Sequence, residues 1–99
     1  MNLSIRAAAE QDIIGQVGCF VQQGTTPMAR RFYAGVLDSI DAMLVMPEAG
    51  APLMACHPAL GGVRTWPVRG FDAFSVFYLV RPEALMVVRV LRRSEMAAA

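Results

Sequence analysis

The period of the apolar residues changes once along this chain, from helical in the first half to alternating in the second. In residues 7–22 apolar side chains recur every three or four positions, at Ile13, Ile14, Val17, Phe20 and Val21. This spacing predicts an amphipathic helix that buries one face. Residues 2–6 alternate weakly before it, which favours a short first strand.

A second helix is predicted from Pro27 to about Met46. Gly24 ends the first helix, and Thr26 is expected to cap the second. Pro27 suits the first helical position, where its missing N–H costs no hydrogen bond, and Pro47 ends the helix. The expected buried stripe, with Leu37 beside it, consists of Phe32, Val36, Ile40, Met43 and Leu44. Two helices joined by a tight turn form a helical hairpin.

After a loop at residues 50–62, rich in proline and glycine, the apolar period becomes two. Strands are predicted at residues 63–68, 71–80 and 85–91, and their short links require antiparallel neighbours. The expected fold is α+β, in the order β-α-α-β-β-β, with the helical hairpin packed on a small, mostly antiparallel sheet. The other face of this sheet is expected to stay exposed and to carry the function.

Length and composition predict a single domain over residues 1–99. The hydrophobic fraction of 56% is enough for a core without disulfides or metal. It also suggests that some apolar surface is meant for a partner.

The net charge of +1 predicts neither nucleic-acid nor acidic-substrate binding. Cys19 and Cys56 have no CxxC spacing, and His57 is the only histidine, so neither a metal nor an organic cofactor is expected. With no signal peptide and no apolar run of membrane-spanning length, a cytoplasmic protein with no membrane contact is predicted. The basic residues are all arginines, most of them late in the chain: Arg64, Arg69, Arg81, Arg89, Arg92 and Arg93.

Several short segments stand in an order that is specific as a set. The first half contains Ala-Glu-Gln-Asp-Ile-Ile at 9–14, Ala-Arg-Arg-Phe at 29–32 and Pro-Glu-Ala-Gly at 47–50. The second half contains Gly-Val-Arg-Thr-Trp-Pro-Val at 62–68, Gly-Phe at 70–71, Phe-Tyr at 77–78 and Val-Arg-Val-Leu at 88–91. Over about residues 2–93 this set resembles the ParE-type toxins of the RelE/ParE superfamily, which includes plasmid stabilisation proteins.

The resemblance implies two helices packed on a twisted, mostly antiparallel sheet. It also implies the toxin of a bacterial type II toxin–antitoxin system, neutralised by a cognate antitoxin protein. ParE-like members block DNA gyrase by binding it. A toxin of this kind is expected to reach DNA only through its antitoxin, and a homodimer stays open.

The other branch of the superfamily, the RelE-like toxins, cuts mRNA on the ribosome with basic residues and often a C-terminal tyrosine. Its five catalytic positions fall at or near Arg64, Trp66, Ser75, Arg93 and Ala99, so two of them are retained. Arginine, with a pKa above about 12, exchanges protons poorly near neutral pH. No catalytic residue is therefore assigned, and an mRNA endoribonuclease built on Arg64, Tyr78 and Arg93 is the alternative to action by binding.

The candidate residues for binding the target lie on the predicted strands: Arg64, Trp66, Arg89, Arg92 and Arg93. The alternative for the strand arginines is ion pairing with Asp72, Glu83 or the acids of the helices. Met43 and Met46 are the candidates for antitoxin binding, because methionine lines adaptable apolar grooves.

The end of the chain departs from the family pattern. The last strand usually leads into a histidine and an Arg-Asp ending, whereas here it leads into Arg92, Arg93, Ser94 and Glu95. Together with the alanine-rich tail, this departure supports a third hypothesis, a degenerate, non-toxic interaction domain.

Overall fold

The structure, a computed structural model, describes residues 1–53, 62–92 and 94. Strand β1 (Asn2–Ile5) leads into helices α1 (Ala7–Gln22) and α2 (Thr26–Val45). The later strands are β2 (Ala51–Pro52), β3 (Arg64–Val68), β4 (Phe71–Val80) and β5 (Ala84–Arg92). The predicted α+β order is confirmed, with the short strand β2 added where a loop was predicted.

The described strands form one sheet in the order β1-β5-β4-β3-β2. Strand β1 pairs with β5 in parallel, and the other neighbours are antiparallel. Gly70, with a φ of 83°, occupies the tight turn between β3 and β4 that the sequence predicted. Both helices lie between β1 and the other strands in sequence. Strand β1 forms one edge of the sheet, where its neighbour is β5, the last strand of the chain.

The core lies between the helical hairpin and one face of the sheet. The predicted stripe of α2 is confirmed at Phe32, Val36, Ile40 and Met43, which are buried, while Leu44 is half-buried. From the sheet side the core receives Val76, Tyr78, Leu85, Val87 and Val90. Burying each large apolar side chain contributes roughly 1.5–3 kcal/mol, so this interface dominates the stability of the fold.

Helix α1 does not bury the whole predicted face. Ile13 is buried, but Ile14 is 62% exposed and Val21 is 49% exposed. The apolar arc of α1 is wider than the strip that α2 and the sheet can cover, so its outer edge faces solvent.

Two further expectations are wrong. Thr26 is the first residue of α2 and not its cap, while the hydroxyl of Thr25 donates to the carbonyl of Phe20, 2.7 Å away, and closes the turn between the helices. The sheet face opposite the helices is not fully exposed, because Ser75 and Phe77 on that face are buried.

Helix α2 is seated on the turn between β3 and β4 through Gly35 and Ser39. The Ser39 hydroxyl donates to the carbonyl of Gly35, 2.7 Å away, and accepts the backbone N–H of Arg69, 2.9 Å away. A Cβ on Gly35 would collide with the carbonyl oxygen of Arg69.

Neither described helix combines the length and apolar character that a membrane span requires.

Candidate functional site

The phenol of Tyr78 is fully buried at the centre of the sheet. Its hydroxyl donates to the carbonyl of Pro47, 2.8 Å away, and accepts the backbone N–H of Gly50, 3.1 Å away. A Cβ at position 50 would lie 2.8 Å from the Tyr78 Cζ, so only glycine fits there. Tyr78 therefore holds the segment that follows α2 against the sheet.

Burial raises the pKa of Tyr78 above its ordinary value, because the phenolate would lose its solvation. The N–H of Gly50 and the charge of Arg64 act in the opposite direction and are weaker. The phenol is thus neutral at physiological pH and turned away from solvent. Both hydrogen-bonding functions of the hydroxyl are used by the backbone of residues 47 and 50.

Arg64 and Trp66 lie on β3 and point to the face that carries the helices. Arg64 is paired across the sheet with Tyr78, and its Nη1 donates to the carbonyl of Gly50, 2.9 Å away. Trp66 is paired with Val76 and is half-buried against the core. Both side chains thus contribute to packing at this edge and present only part of their surface to a partner.

Arg89 on β5 forms a bidentate ion pair with Asp12 of α1. The distances from Nε and Nη2 to the two carboxylate oxygens are 2.7 Å and 2.9 Å. The same carboxylate accepts the backbone N–H of Val90, 3.0 Å away. The sequence left open whether Arg89 pairs with an acid of a helix, and this pairing is confirmed. Asp12 thereby connects α1 to the C-terminal part of β5.

Arg92 lies near the end of β5 on the molecular surface. Its guanidinium stands over the ring of Phe74, 5.1 Å from the ring centre, which is a cation–π contact. Arg93 lies outside the described residues. The cation and the aromatic ring beneath it make this end of β5 a candidate anchor for a protein partner.

The two methionines expected to bind an antitoxin differ in position. Met43 is fully buried in the core, so it presents no surface to a partner. Met46 is 61% exposed and lines a surface pocket of about 530 Å³ with Met1, Pro47 and Val80.

The arginines of the sheet do not form one patch. Arg64 lies opposite Tyr78 and Arg92 lies opposite Phe74, on the two strands that flank β4. Four residues of an extended strand span about 13 Å, so the two arginines are separated along the strands as well as by the width of β4.

The sequence analysis did not identify the apolar groove on the outer side of the helical hairpin. Its exposed side chains are Ile14, Val21, Tyr33 and Leu37. The sequence signal that could have revealed it was the width of the apolar face of α1, because Ile13 and Ile14 cannot both be buried by one neighbouring surface.

Within residues 1–53, 62–92 and 94, no three His, Cys, Asp or Glu side chains are placed to hold a metal ion together. Cys19 is exposed. Cys56 and His57 lie outside the described residues.

Comparison with known proteins gives a consistent result for family and fold. A model of the family described as "ParE toxin of type II toxin-antitoxin system, parDE" matches residues 3–97. Among solved structures, a chain of the "Chromosomal ParDE TA system from P. aeruginosa" superposes with a TM-score of 0.75 and 20% sequence identity. The match covers 93% of this chain and 95% of that one. No curated protein matches the sequence.

Proposed function

Since the chain belongs to the ParE toxin family of type II toxin–antitoxin systems, we propose that it stops growth by binding DNA gyrase, and that a cognate antitoxin neutralises it. The observation that carries binding over RNA cleavage is the position of Tyr78. Its hydroxyl is buried and already donates one hydrogen bond and accepts another. A ribonuclease needs a group that can exchange protons at the substrate, and arginine does this poorly.

The proposed contact with the target is the end of β5 that carries Arg92. Arg92 is exposed, and the ring of Phe74 beneath it holds the guanidinium in place. A cation held over an aromatic ring loses little conformational freedom on binding, which favours it as an anchor. Arg93 is proposed to extend this contact. Arg64, Trp66 and Arg89 are proposed to bind the target through the surface that each leaves exposed, besides the contacts that each makes within the fold.

The proposed antitoxin contact is the pocket beside Met46. Met46 is 61% exposed and Met1 is 60% exposed, so both gain from being covered. The pocket is lined by Met1, which precedes β1, one of the two edge strands of the described sheet, and an extended antitoxin segment can add to such an edge. Contact with DNA is proposed to run only through the antitoxin, and the proposed target places the protein in the cytoplasm.

The first test is induction of this chain alone in a bacterial host, with viability, plasmid supercoiling and mRNA integrity measured together. Arrest with altered supercoiling and intact mRNA is expected. Arrest with codon-phased mRNA cuts would replace gyrase by the ribosome as the target. Normal growth with folded protein would indicate the degenerate interaction domain.

The second test compares Arg92→Ala with Arg81→Ala. Both residues are exposed arginines, but Arg81 lies in the turn at the opposite end of β5. Inhibition of purified gyrase supercoiling is expected to weaken for Arg92→Ala and to stay unchanged for Arg81→Ala. Equal inhibition by both variants, with native circular dichroism, would remove the end of β5 from the proposed interface.

A further inference from the structure

The shape of the pocket beside Met46 depends on one short irregular segment. Of the six described residues that line it, four are consecutive, at 46–49, and the other two are Met1 and Val80. This segment lies between the end of α2 and the start of β2, so no helix or strand fixes its backbone. The pocket therefore keeps its shape only as far as other groups hold this segment in place.

The hydroxyl of Tyr78 bridges two backbone groups of the segment. It donates to the carbonyl of Pro47, 2.8 Å away, and accepts the N–H of Gly50, 3.1 Å away. In a hydrogen-bonded β-turn, the carbonyl of the first residue accepts the N–H of the fourth residue directly. Pro47 and Gly50 stand in this relation, and the phenol oxygen is inserted between them. Tyr78 thereby holds the turn at residues 47–50 open.

Two further hydrogen bonds fix the ends of the same segment. The N–H of Ala49 donates to the carbonyl of Met46, 3.0 Å away, and turns the chain directly after α2. The Nη1 of Arg64 donates to the carbonyl of Gly50, 2.9 Å away. Between these two points, the bridging hydroxyl is the group that sets how far the turn opens.

We propose that Tyr78 is a positioning residue for the antitoxin contact, because its hydroxyl holds residues 47–50 in the open turn beside which an apolar side chain of the antitoxin binds. This inference rests on the proposed role of the Met46 pocket. Tyr78 is fully buried and presents no surface to a partner, so it acts only through the segment. Apart from Glu48, the described lining of the pocket is apolar, which suits an apolar side chain.

Loss of the hydroxyl is expected to lower the fraction of chains whose turn is open. The Pro47 carbonyl and the Gly50 N–H then lose their common partner and can close on each other as in an ordinary β-turn. The apparent dissociation constant rises by the inverse of the fraction of chains that is competent to bind. The antitoxin is then expected to associate more slowly and to dissociate at its former rate, because the contacts within the complex are unchanged.

The test measures the association and dissociation rates of the full chain, made by cell-free synthesis, with the purified protein encoded by the gene next to its own as the antitoxin. Tyr78→Phe is expected to slow association about tenfold and to leave the dissociation rate within about twofold of the wild type. Met46→Ala removes a side chain that lines the pocket, so it is expected to speed dissociation instead.

Ser39→Ala is the matched control for the loss of stability. The Ser39 hydroxyl also donates to a backbone carbonyl, that of Gly35, and accepts a backbone N–H, that of Arg69. Ser39 does not line the pocket. Ser39→Ala and Tyr78→Phe are both expected to lower the urea midpoint, whereas only Tyr78→Phe is expected to slow association.

The methyl NMR signal of Met46 gives a second readout, which needs no antitoxin. In Tyr78→Phe this signal is expected to shift or broaden, because the segment that carries Met46 changes its conformation. In Ser39→Ala it is expected to stay in place.

The outcomes separate this inference from the proposed function. Wild-type rates and an unchanged Met46 signal in Tyr78→Phe overturn the positioning role, even where faster dissociation of Met46→Ala supports the pocket. Slower association in Ser39→Ala as well would reveal a general effect of stability and would also overturn it. Wild-type rates for Met46→Ala remove the pocket from the antitoxin interface, and the inference fails together with that part of the proposed function.

Discussion

At the scale of single residues, two polar side chains, Tyr78 and Asp12, connect separate elements of the fold through hydrogen bonds. Tyr78 ties the segment after α2 to the sheet through Pro47 and Gly50. Asp12 ties α1 to β5 by accepting from both Arg89 and the backbone of Val90. The Gly50–Tyr78 bond is buried, so removing the Tyr78 hydroxyl leaves its partners unpaired and has a measurable effect on stability. The Asp12–Arg89 bonds lie at the surface, where water can replace them.

Replacing Tyr78 by phenylalanine is expected to lower the free energy of unfolding by about 1–3 kcal/mol, because the Gly50 N–H and the Pro47 carbonyl lose their partner. Tyr33→Phe is the matched control, since Tyr33 is 50% exposed, and its effect is expected to stay within about 0.5 kcal/mol. Urea denaturation measures both. Equal effects of the two substitutions would show that the Tyr78 hydroxyl contributes nothing.

The raised pKa of Tyr78 predicts a loss of stability at alkaline pH. The unfolded chain releases the phenolic proton near its ordinary pKa of about 10, while the folded chain still holds it. The stabilisation is therefore fully present below about pH 10 and is lost as the pH rises toward the folded pKa. Urea midpoints from about pH 8 upward are expected to fall more steeply for the wild type than for Tyr78→Phe, and parallel curves would contradict this.

At the scale of elements, the seating of α2 depends on two small residues. Gly35 lets the helix approach the turn between β3 and β4, and Ser39 binds the backbone of that turn. The periodic apolar stripe only requires that α2 lie on the sheet. The close approach at Gly35 and the hydrogen bonds of Ser39 determine where along the sheet it lies.

Gly35→Ala is expected to destabilise the protein by about 1–3 kcal/mol, because its methyl group collides with the carbonyl of Arg69 and overpacks the contact. Gly15→Ala, on the open side of α1, is expected to stabilise it by up to about 1 kcal/mol through helix propensity. Thermal or urea unfolding distinguishes the two signs. A stabilising Gly35→Ala would mean that the contact between α2 and the turn is looser than described.

At the scale of the whole molecule, the helices cover one face of the sheet and the arginines are spread around it. Arg64 and Arg92 lie on the two strands that flank β4, four residues apart in register, and Arg89 is paired with an acid. With a net charge of +1 and these arginines on different strands, we predict that the chain binds a protein target rather than the phosphate backbone of DNA.

The chain by itself is therefore expected to show no sequence-independent retardation of duplex DNA. Gel retardation at about 50 mM and about 200 mM salt measures this, because phosphate contacts weaken steeply over that range. The antitoxin complex serves as the comparison. Strong, salt-sensitive binding by the chain alone would contradict the proposal that DNA is reached only through the antitoxin.

Much of the fold could be predicted because it depends on local periodicity. The stripe of α2 at Phe32, Val36 and Ile40 describes one buried face and is confirmed. The alternation in β4 predicted the strand but not its burial, because Phe74 to Tyr78 are buried on both faces. Strand β2, with two residues, is too short to have a period. The candidate site was less predictable, because the exposure of Ile14 depends on how much of α1 its neighbours cover.

The sequence by itself determined the number of main elements, their order and the family, because period, turn residues and motif order are properties of neighbouring positions. Only the tertiary structure decided the roles of the polar side chains. Asp12 and Arg89 are 77 positions apart, and Tyr78 and Pro47 are 31 apart, yet each pair is joined by hydrogen bonds. The packing of the hairpin on the sheet decides which distant groups come within about 3 Å of a polar side chain. These contacts determine whether a tyrosine holds two segments together and whether an arginine pairs with an acid of a helix.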